Sequence, residues 1–392
     1  MSKNIICVKK EKTKLYGNER ELYMNGKQRI TNIIQGKPVD RIPWTTLSDD
    51  ITRTDMDDGY KNIPILDFYR KIGADILQFG NYGLPDSLHV SEPFKVVSDS
   101  VTSKWEHFQD GSVVHSRSFG GKSLKAAYKK SHPIKYPVET AEDMALLLEM
   151  TESYRVLPLG DYADYANRCS RCEAAIGQDG IYIPTLPPSP VQQLIEYECG
   201  LENFYYMLAE KTELTERVID AMFAVNKRQY EITAEKSPFM AVIPVENTST
   251  TLTSPKIYQK YSMPHIRAFS DIMHERGKKA IIHMCGHLHH LLGELKETGL
   301  DGIHALTPPT VGDCPFDTAL DVLGEDLIII GVLDSAIFHD PRANEESIRN
   351  CVMETITPRI RKSNFMLAIG TDGLKTDLWR LAAVREAMEK LC

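Results

Sequence analysis

Apolar residues along this chain come in short runs separated by longer, regularly spaced patterns. Runs near 42–46, 75–79, 180–184, 241–245, 280–282, 302–306, 327–331 and 365–369 are each broken by glycine, proline or charge, and predict buried strands. Between them, apolar positions recur every three or four residues: Ile30, Ile33 and Ile34, then 66–72, 140–150, 161–172, 191–200, 201–210, 213–236 and 255–276. This spacing predicts helices. Leu288, Leu291, Leu292 and Leu295 add one more apolar stripe. From 94 to 119 the pattern changes to β-branched alternation broken by Asp110-Gly111, a hairpin signal that predicts an inserted β-hairpin layer. Residues 1–22 are polar and without periodicity, and read as a flexible N-terminal arm ahead of a single domain over 23–392.

Short apolar strands alternating with helices predict an α/β fold of the (β/α)8 TIM-barrel type. In such a barrel the active site gathers at the C-terminal ends of the strands. Those ends carry Glu246, His283, Cys285, His304, Asp334 and Asp372, which makes them the candidate site. The sharpest local pattern is residues 280–282, an apolar run that delivers His283 and Cys285 before Gly286 breaks it. Residues i and i+2 of a strand share a face, so an imidazole and a thiol emerge side by side. That pair suits a zinc-type metal. The other reading is a core cysteine beside a hydrogen-bonded histidine. His289 and His290 follow on the next helix, but no regular spacing ties them to the strand end.

Composition narrows the partners. The chain is 42% hydrophobic and 26% charged, as soluble globular proteins are. A net charge of -8 argues against nucleic acid and against a polybasic membrane surface, which leaves small molecules and other proteins. No leader-like segment and no membrane-length apolar run occurs, so a cytoplasmic location is expected. Eight scattered cysteines imply reduced thiols in place of a disulfide framework. The CxxC formed by Cys169 and Cys172 has no second pair and falls on a predicted helix.

The motifs Gln28-Arg29-Ile30, Gly36, Pro38-Val39-Asp40-Arg41-Ile42-Pro43, Pro187-Pro188-Ser189-Pro190, Ser254-Pro255 and His283-Met284-Cys285-Gly286 occur in this order. From about residue 25 onward, the chain resembles the uroporphyrinogen decarboxylase-like superfamily, and within it the zinc-dependent corrinoid methyltransferases. Two departures qualify the resemblance. Decarboxylases proper carry arginines after the first strand to grip a polyanionic tetrapyrrole. Here that stretch reads Thr45-Thr46-Leu47-Ser48-Asp49-Asp50, and Asp55, Asp57 and Asp58 follow around a single Arg53. Coenzyme M-type methyltransferases supply a further cysteine at the last strand's exit, where this chain has Thr371-Asp372.

The resemblance implies bound zinc on His283 and Cys285, with Glu246 as third ligand and His304 and Asp372 as weaker candidates. His304, Asp334 and Asp372 are substrate-side candidates, and Cys314 lies on a loop that could approach the mouth. Tyr82, Trp105, Tyr205 and Tyr206 could line an aromatic pocket. The implied reaction moves a methyl group from a methoxylated, aromatic donor to a cobalt(I) corrinoid. An oxygen-rich ligand set leaves zinc a harder Lewis acid, suited to an ether oxygen. With no Asp-x-His-x-x-Gly pattern in the chain, the cobalamin is expected on a separate corrinoid-binding protein. Alternatives are methyl transfer from a methylcorrinoid to a thiol or folate, decarboxylation of uroporphyrinogen, and a non-catalytic binding barrel with a structural metal.

Overall fold

A computed structural model describes residues 23–130 and 132–391; the arm expected over 1–22 lies outside the described residues. Each apolar run forms a strand: β1 Trp44–Leu47, β2 Ile76–Phe79, β3 Gly180–Ile183, β4 Ala241–Pro244, β5 Lys279–His283, β6 Gly302–Leu306, β7 Ile328–Val332 and β8 Asn364–Gly370. After Pro184, β3 resumes as Thr185–Leu186. A curled, seven-stranded parallel sheet runs β1, β8, β7, β6, β5, β4 and this extension, while β2 pairs in parallel with β3. The amide of Asp75, just before β2, donates to the carbonyl of Trp44 in β1 at 2.8 Å. Gly180 permits the close approach of β3 to β2, because a Cβ there would lie 1.8 Å from the carbonyl oxygen of Ile76.

Strands buried on both faces need apolar residues at every position, and alternation then decides which side each one serves. Leu77, Ile183, Ala241, Ile243, Ile281, Ile328, Ile330, Met366 and Ala368 meet in one cluster on the concave side. Ile30, Ile33 and Ile34 of the helix Gly26–Ile34 close that cluster at the N-terminal end of the strands. A capping box between Asn25 and Gln28 starts the helix. The intervening positions, such as Ile282, Ile303 and Ile329, pack outward against the surrounding helices.

The hairpin layer differs from its expected boundaries of 94–119. The Asp110-Gly111 turn is present, but the strands are Thr102–His107, Ser112–Phe119, Lys122–Lys129 and His132–Lys135, which form a four-stranded antiparallel sheet. Phe94–Val97 instead pairs antiparallel with Arg155–Pro158. Lysines and serines hide the later strands in the sequence, because one face of this sheet is open to solvent. Among the described residues, no helix is long and apolar enough to cross a membrane.

Candidate active site

At the C-terminal end of β5, His283 continues the inward alternation of Ile281. On the neighbouring strand, His304 is its register partner, and the two Nδ1 atoms lie 2.7 Å apart. Phe79, at the end of β2, stacks on His304 with ring centroids 4.7 Å apart and planes within 10°. Burial pushes the His283 pKa down to about 4 and that of His304 well below the ordinary value, so both rings are neutral at pH 7. Two neutral imidazoles meeting Nδ1 to Nδ1 share one proton between those nitrogens. Ala305 follows with φ +65, at a bulge that shifts the register to β7 between His304 and Leu306.

Cys285 stands two residues beyond His283, exposed to solvent but walled by protein. Its thiol pKa is raised by partial burial and by the charges of Glu196 and Asp372. Its Sγ lies 3.6 Å from Oδ1 of Asn247, whose Nδ2 donates to Glu196 at 3.0 Å. Glu196 also accepts from Gln192 at 2.8 Å and sits in a π-helical turn, Leu194–Glu198. Such turns recur at functional sites because one extra residue re-aims a side chain. Reading the strand ends alone misses Asn247, Glu196 and Phe79, since none is a strand-exit histidine, cysteine or acid. The usable signal for Asn247 is an asparagine just past a strand, a residue that tolerates the left-handed backbone found here, φ +50.

Glu246 does not join His283 and Cys285. Val245 bridges to His283, and the next residue turns the other way. The Glu246 carboxylate is 1% exposed and accepts from the Ser189 amide at 2.6 Å, Ser189 Oγ at 2.7 Å and Thr248 Oγ1 at 2.8 Å. Burial, opposed by those three donors, pushes its pKa up to about 7. It clamps the exits of β3 and β4 together. Among the described residues, no three His, Cys, Asp or Glu side chains are gathered closely enough to hold a metal ion.

The remaining candidates separate into engaged and free. Asp334 caps the helix Ser335–Phe338 through the amides of Ala336 and Ile337, and accepts from the Thr310 amide at 2.9 Å. Asp372 is exposed at the mouth, its pKa raised by partial burial and by the charge of Asp49. Burial would raise the pKa of Asp49, but hydrogen bonds from Thr52, the Gly373 amide and Tyr82 overcome it and hold that pKa low. The hydroxyl of Thr371 meets those of Ser48 and Thr46 at 2.7 and 3.1 Å. Cys314 is buried, whereas His289 and His290 are exposed and contact each other. Tyr205 donates to the carbonyl of Leu252, Tyr206 is exposed, and Trp105 stacks on His115 in the antiparallel sheet. Cys169 and Cys172 are buried on the helix Tyr162–Ile176.

Comparison with known proteins places this arrangement. A methyltransferase from Methanosarcina mazei has the same fold at a TM-score of 0.56 and 12% identity, covering 94% of this chain and 99% of that one. A D-psicose 3-epimerase matches at 0.36 and 11% identity over 62% of this chain and 85% of its own. The D-psicose 3-epimerase of Clostridium cellulolyticum H10 matches at 0.32 and 10% identity over 64% and 92%. No curated protein matches the sequence. Residues 192–391 fit the model of the uroporphyrinogen decarboxylase family; that span is half of the chain and includes β4 to β8, and the chain therefore belongs to the uroporphyrinogen decarboxylase (URO-D) family.

Proposed function

We propose that this chain is a methyltransferase that moves a methyl group from a methoxylated aromatic compound to a cobalt(I) corrinoid carried by a partner protein. The observation that carries the reading is the neutral His283 and the open Cys285 at one strand exit, in a fold shared with a methyltransferase. These two side chains would hold zinc, which when bound supplies a Lewis acid for the ether oxygen. The described residues fit a zinc site only in part. Glu246 is turned away from His283 and Cys285 and engaged by Ser189 and Thr248, so it does not supply a third ligand in this arrangement.

The chain's own residues prepare the mouth. Phe79 and the His283–His304 pair form an aromatic inner wall, Asn247 contacts the Cys285 thiol, and the Glu246 clamp fixes the loops around it. The curled sheet is read here as a closed (β/α)8 barrel. Support comes from the interior cluster, which draws on β2, β3, β4, β5, β7 and β8, and from the bond between Asp75 and Trp44.

The family match favours a second reading, decarboxylation of uroporphyrinogen. A polycarboxylate needs cations at the mouth, yet Asp49 and Asp372 stand there. Arg29 and Arg41 are held at the opposite end by Asp75, and Arg53 is buried against Asp50 and the carbonyl of Ile63. Metal analysis of the purified protein, then a screen of methoxylated aromatics with cobalt(I) cobalamin followed by its absorption spectrum, tests the proposal. One zinc per chain and ether-dependent alkylation of cobalt are expected. Efficient turnover of uroporphyrinogen overturns the methyltransferase reading, and methylation of a thiol or folate from methylcobalamin without ether cleavage reverses its direction.

A further inference from the structure

We infer that the antiparallel sheet over residues 102–135 docks on the acidic strand-exit rim of a second copy of this chain, reciprocally, so that two chains close into a two-fold dimer. Over that stretch seven lysines and arginines stand against two acids, Glu106 and Asp110, in a chain whose net charge is -8. Cross-strand pairing puts the buried Leu124 and Ala126 on one face of the sheet, the face that packs on the body of the protein. The opposite face carries Lys104, Lys125, Lys129 and Lys135, with Glu106 as its acid, and none of its described residues is buried. Val114 and Ala127 sit half-buried at its centre, and Phe108 and Ile134 stand exposed at its margin. An apolar centre ringed by charge is how a protein interface is built.

The complementary surface lies on the same chain. The loops after β1, β6, β7 and β8 present Ile51, Val311, Ile337 and Leu374, each more than a third exposed. Hydrogen bonds join these loops into one rim: the Thr310 amide to Asp334, the His339 ring to the Gly370 carbonyl, and the Gly373 amide to Asp49. Asp50, Asp55, Asp57 and Asp58 are exposed on the first loop, while Arg53 among them is buried. Within one chain, among the described residues, the sheet's lysines pair with Glu106, Asp110 and Glu139 and not with this rim. The acids that attract the sheet repel an anionic bilayer, which favours a second copy as the occupant. Four strands about 4.8 Å apart, each over about six residues of about 3.4 Å, make a face of roughly 400 Å². One such contact is small for a stable dimer. A copy that gives its sheet and also receives its partner's sheet buries roughly 800 Å², the usual share of each partner. The contact uses the exits of β1 and β6 to β8 and depends on no reading of the chemistry at Cys285.

Sedimentation equilibrium of the full chain should give twice the 44.3 kDa of one copy, with association weakened by added salt. Lys125→Glu with Lys129→Glu, and separately Asp57→Lys with Asp58→Lys, should each weaken association by about 100-fold or more, because like charges then meet in both contacts. The neutral pair Lys125→Gln with Lys129→Gln, gentler on the fold, should weaken it in the same direction by less. Mixing the two charge-reversed proteins should restore the dimer, since both contacts of the mixed pair again join opposite charges, and misfolded chains could not give that recovery. A dimer that survives both reversals, or folded variants that stay apart on mixing, overturns the inference. So does a mass that climbs past the dimer with concentration, the mark of an open chain of one-way contacts. A monomeric wild type overturns it as well, and sedimentation of that monomer with phosphatidylglycerol vesicles would assign the sheet to an anionic bilayer.

Discussion

The two ends of the parallel strands handle charge in opposite ways. At the N-terminal end, Asp75 bonds Arg29 at 2.8 Å and Arg41 at 2.7 Å, and Asp40 takes a second contact from Arg29 at 2.7 Å. In this cluster each charge meets its opposite. At the C-terminal end, three ionisable groups meet neutral ones: Glu246 faces hydroxyls and an amide, His283 faces His304, and Cys285 faces an asparagine. Opposite charges hold a pKa where ionisation is secure, whereas burial among neutral groups moves it toward neutrality or abolishes the charge. The first arrangement stabilises a fold. The second leaves groups near neutrality, the condition that binding and proton exchange require, and barrel folds carry their active sites at this end of the strands.

Breaking the paired end should give the largest change in stability. Asp75→Asn leaves two guanidinium groups without their shared carboxylate, one of them buried, and should cost about 3–5 kcal/mol in urea denaturation. Zinc content should not change. A cost below about 1 kcal/mol would mean that the ion pairs are replaceable by water.

At the unpaired end, the predicted signature is a pH slope. Glu246 has a pKa of about 7 in the folded chain against 4.5 ordinarily, so between these values the unfolded chain ionises first and wild-type stability falls as pH rises. The full effect approaches about 3 kcal/mol at about 1.4 kcal/mol per unit. His283 acts with the opposite sign, losing stability as pH falls from 6.5 through about 4, so the difference between wild type and Glu246→Gln is the quantity to measure. That difference should shrink steadily from pH 4.5 to 7; a flat difference would falsify the buried, shifted carboxyl. Ser189→Ala should cost less, about 1–2 kcal/mol, and should move the same window upward by removing one donor to the carboxylate.

How much of this was legible depended on whether period or direction was asked. The strands were readable because burial on both faces demands unbroken apolar runs, and β4 and β8 are almost entirely that. The strands Lys122–Lys129 and His132–Lys135 were not, because a sheet with a solvated face can be built from lysine and serine. At the site, His283 and Cys285 stood out in the sequence two residues apart, but the strand ends at His283 and leaves Cys285 beyond it. The orientation of Glu246 was not, because alternation turns the residue after Val245 outward, and the donors that hold it come from the proline-rich stretch around Ser189. The π-helical turn that presents Glu196 has no sequence period of its own, and the pairing of His304 with His283 needs a register that only the assembled sheet supplies.

The smallest expected effect on stability separates the two readings that the His-x-Cys pattern left open. If Cys285 were a core cysteine, replacing it would open a cavity or strand a polar hydroxyl among apolar atoms, at about 1–3 kcal/mol. The thiol is instead exposed, and its polar contact is Asn247 Oδ1 at 3.6 Å, a weak one for sulfur. A serine hydroxyl can make the same contact and face the same water. Cys285→Ser in the metal-free protein should therefore unfold within about 0.5 kcal/mol of wild type. As a zinc ligand, however, an alcohol oxygen that stays protonated at neutral pH cannot replace a thiolate, so bound zinc and methyl transfer should both be lost. Full metal content in Cys285→Ser would remove this residue from the site, and a destabilisation above about 2 kcal/mol with no metal present would return it to the core.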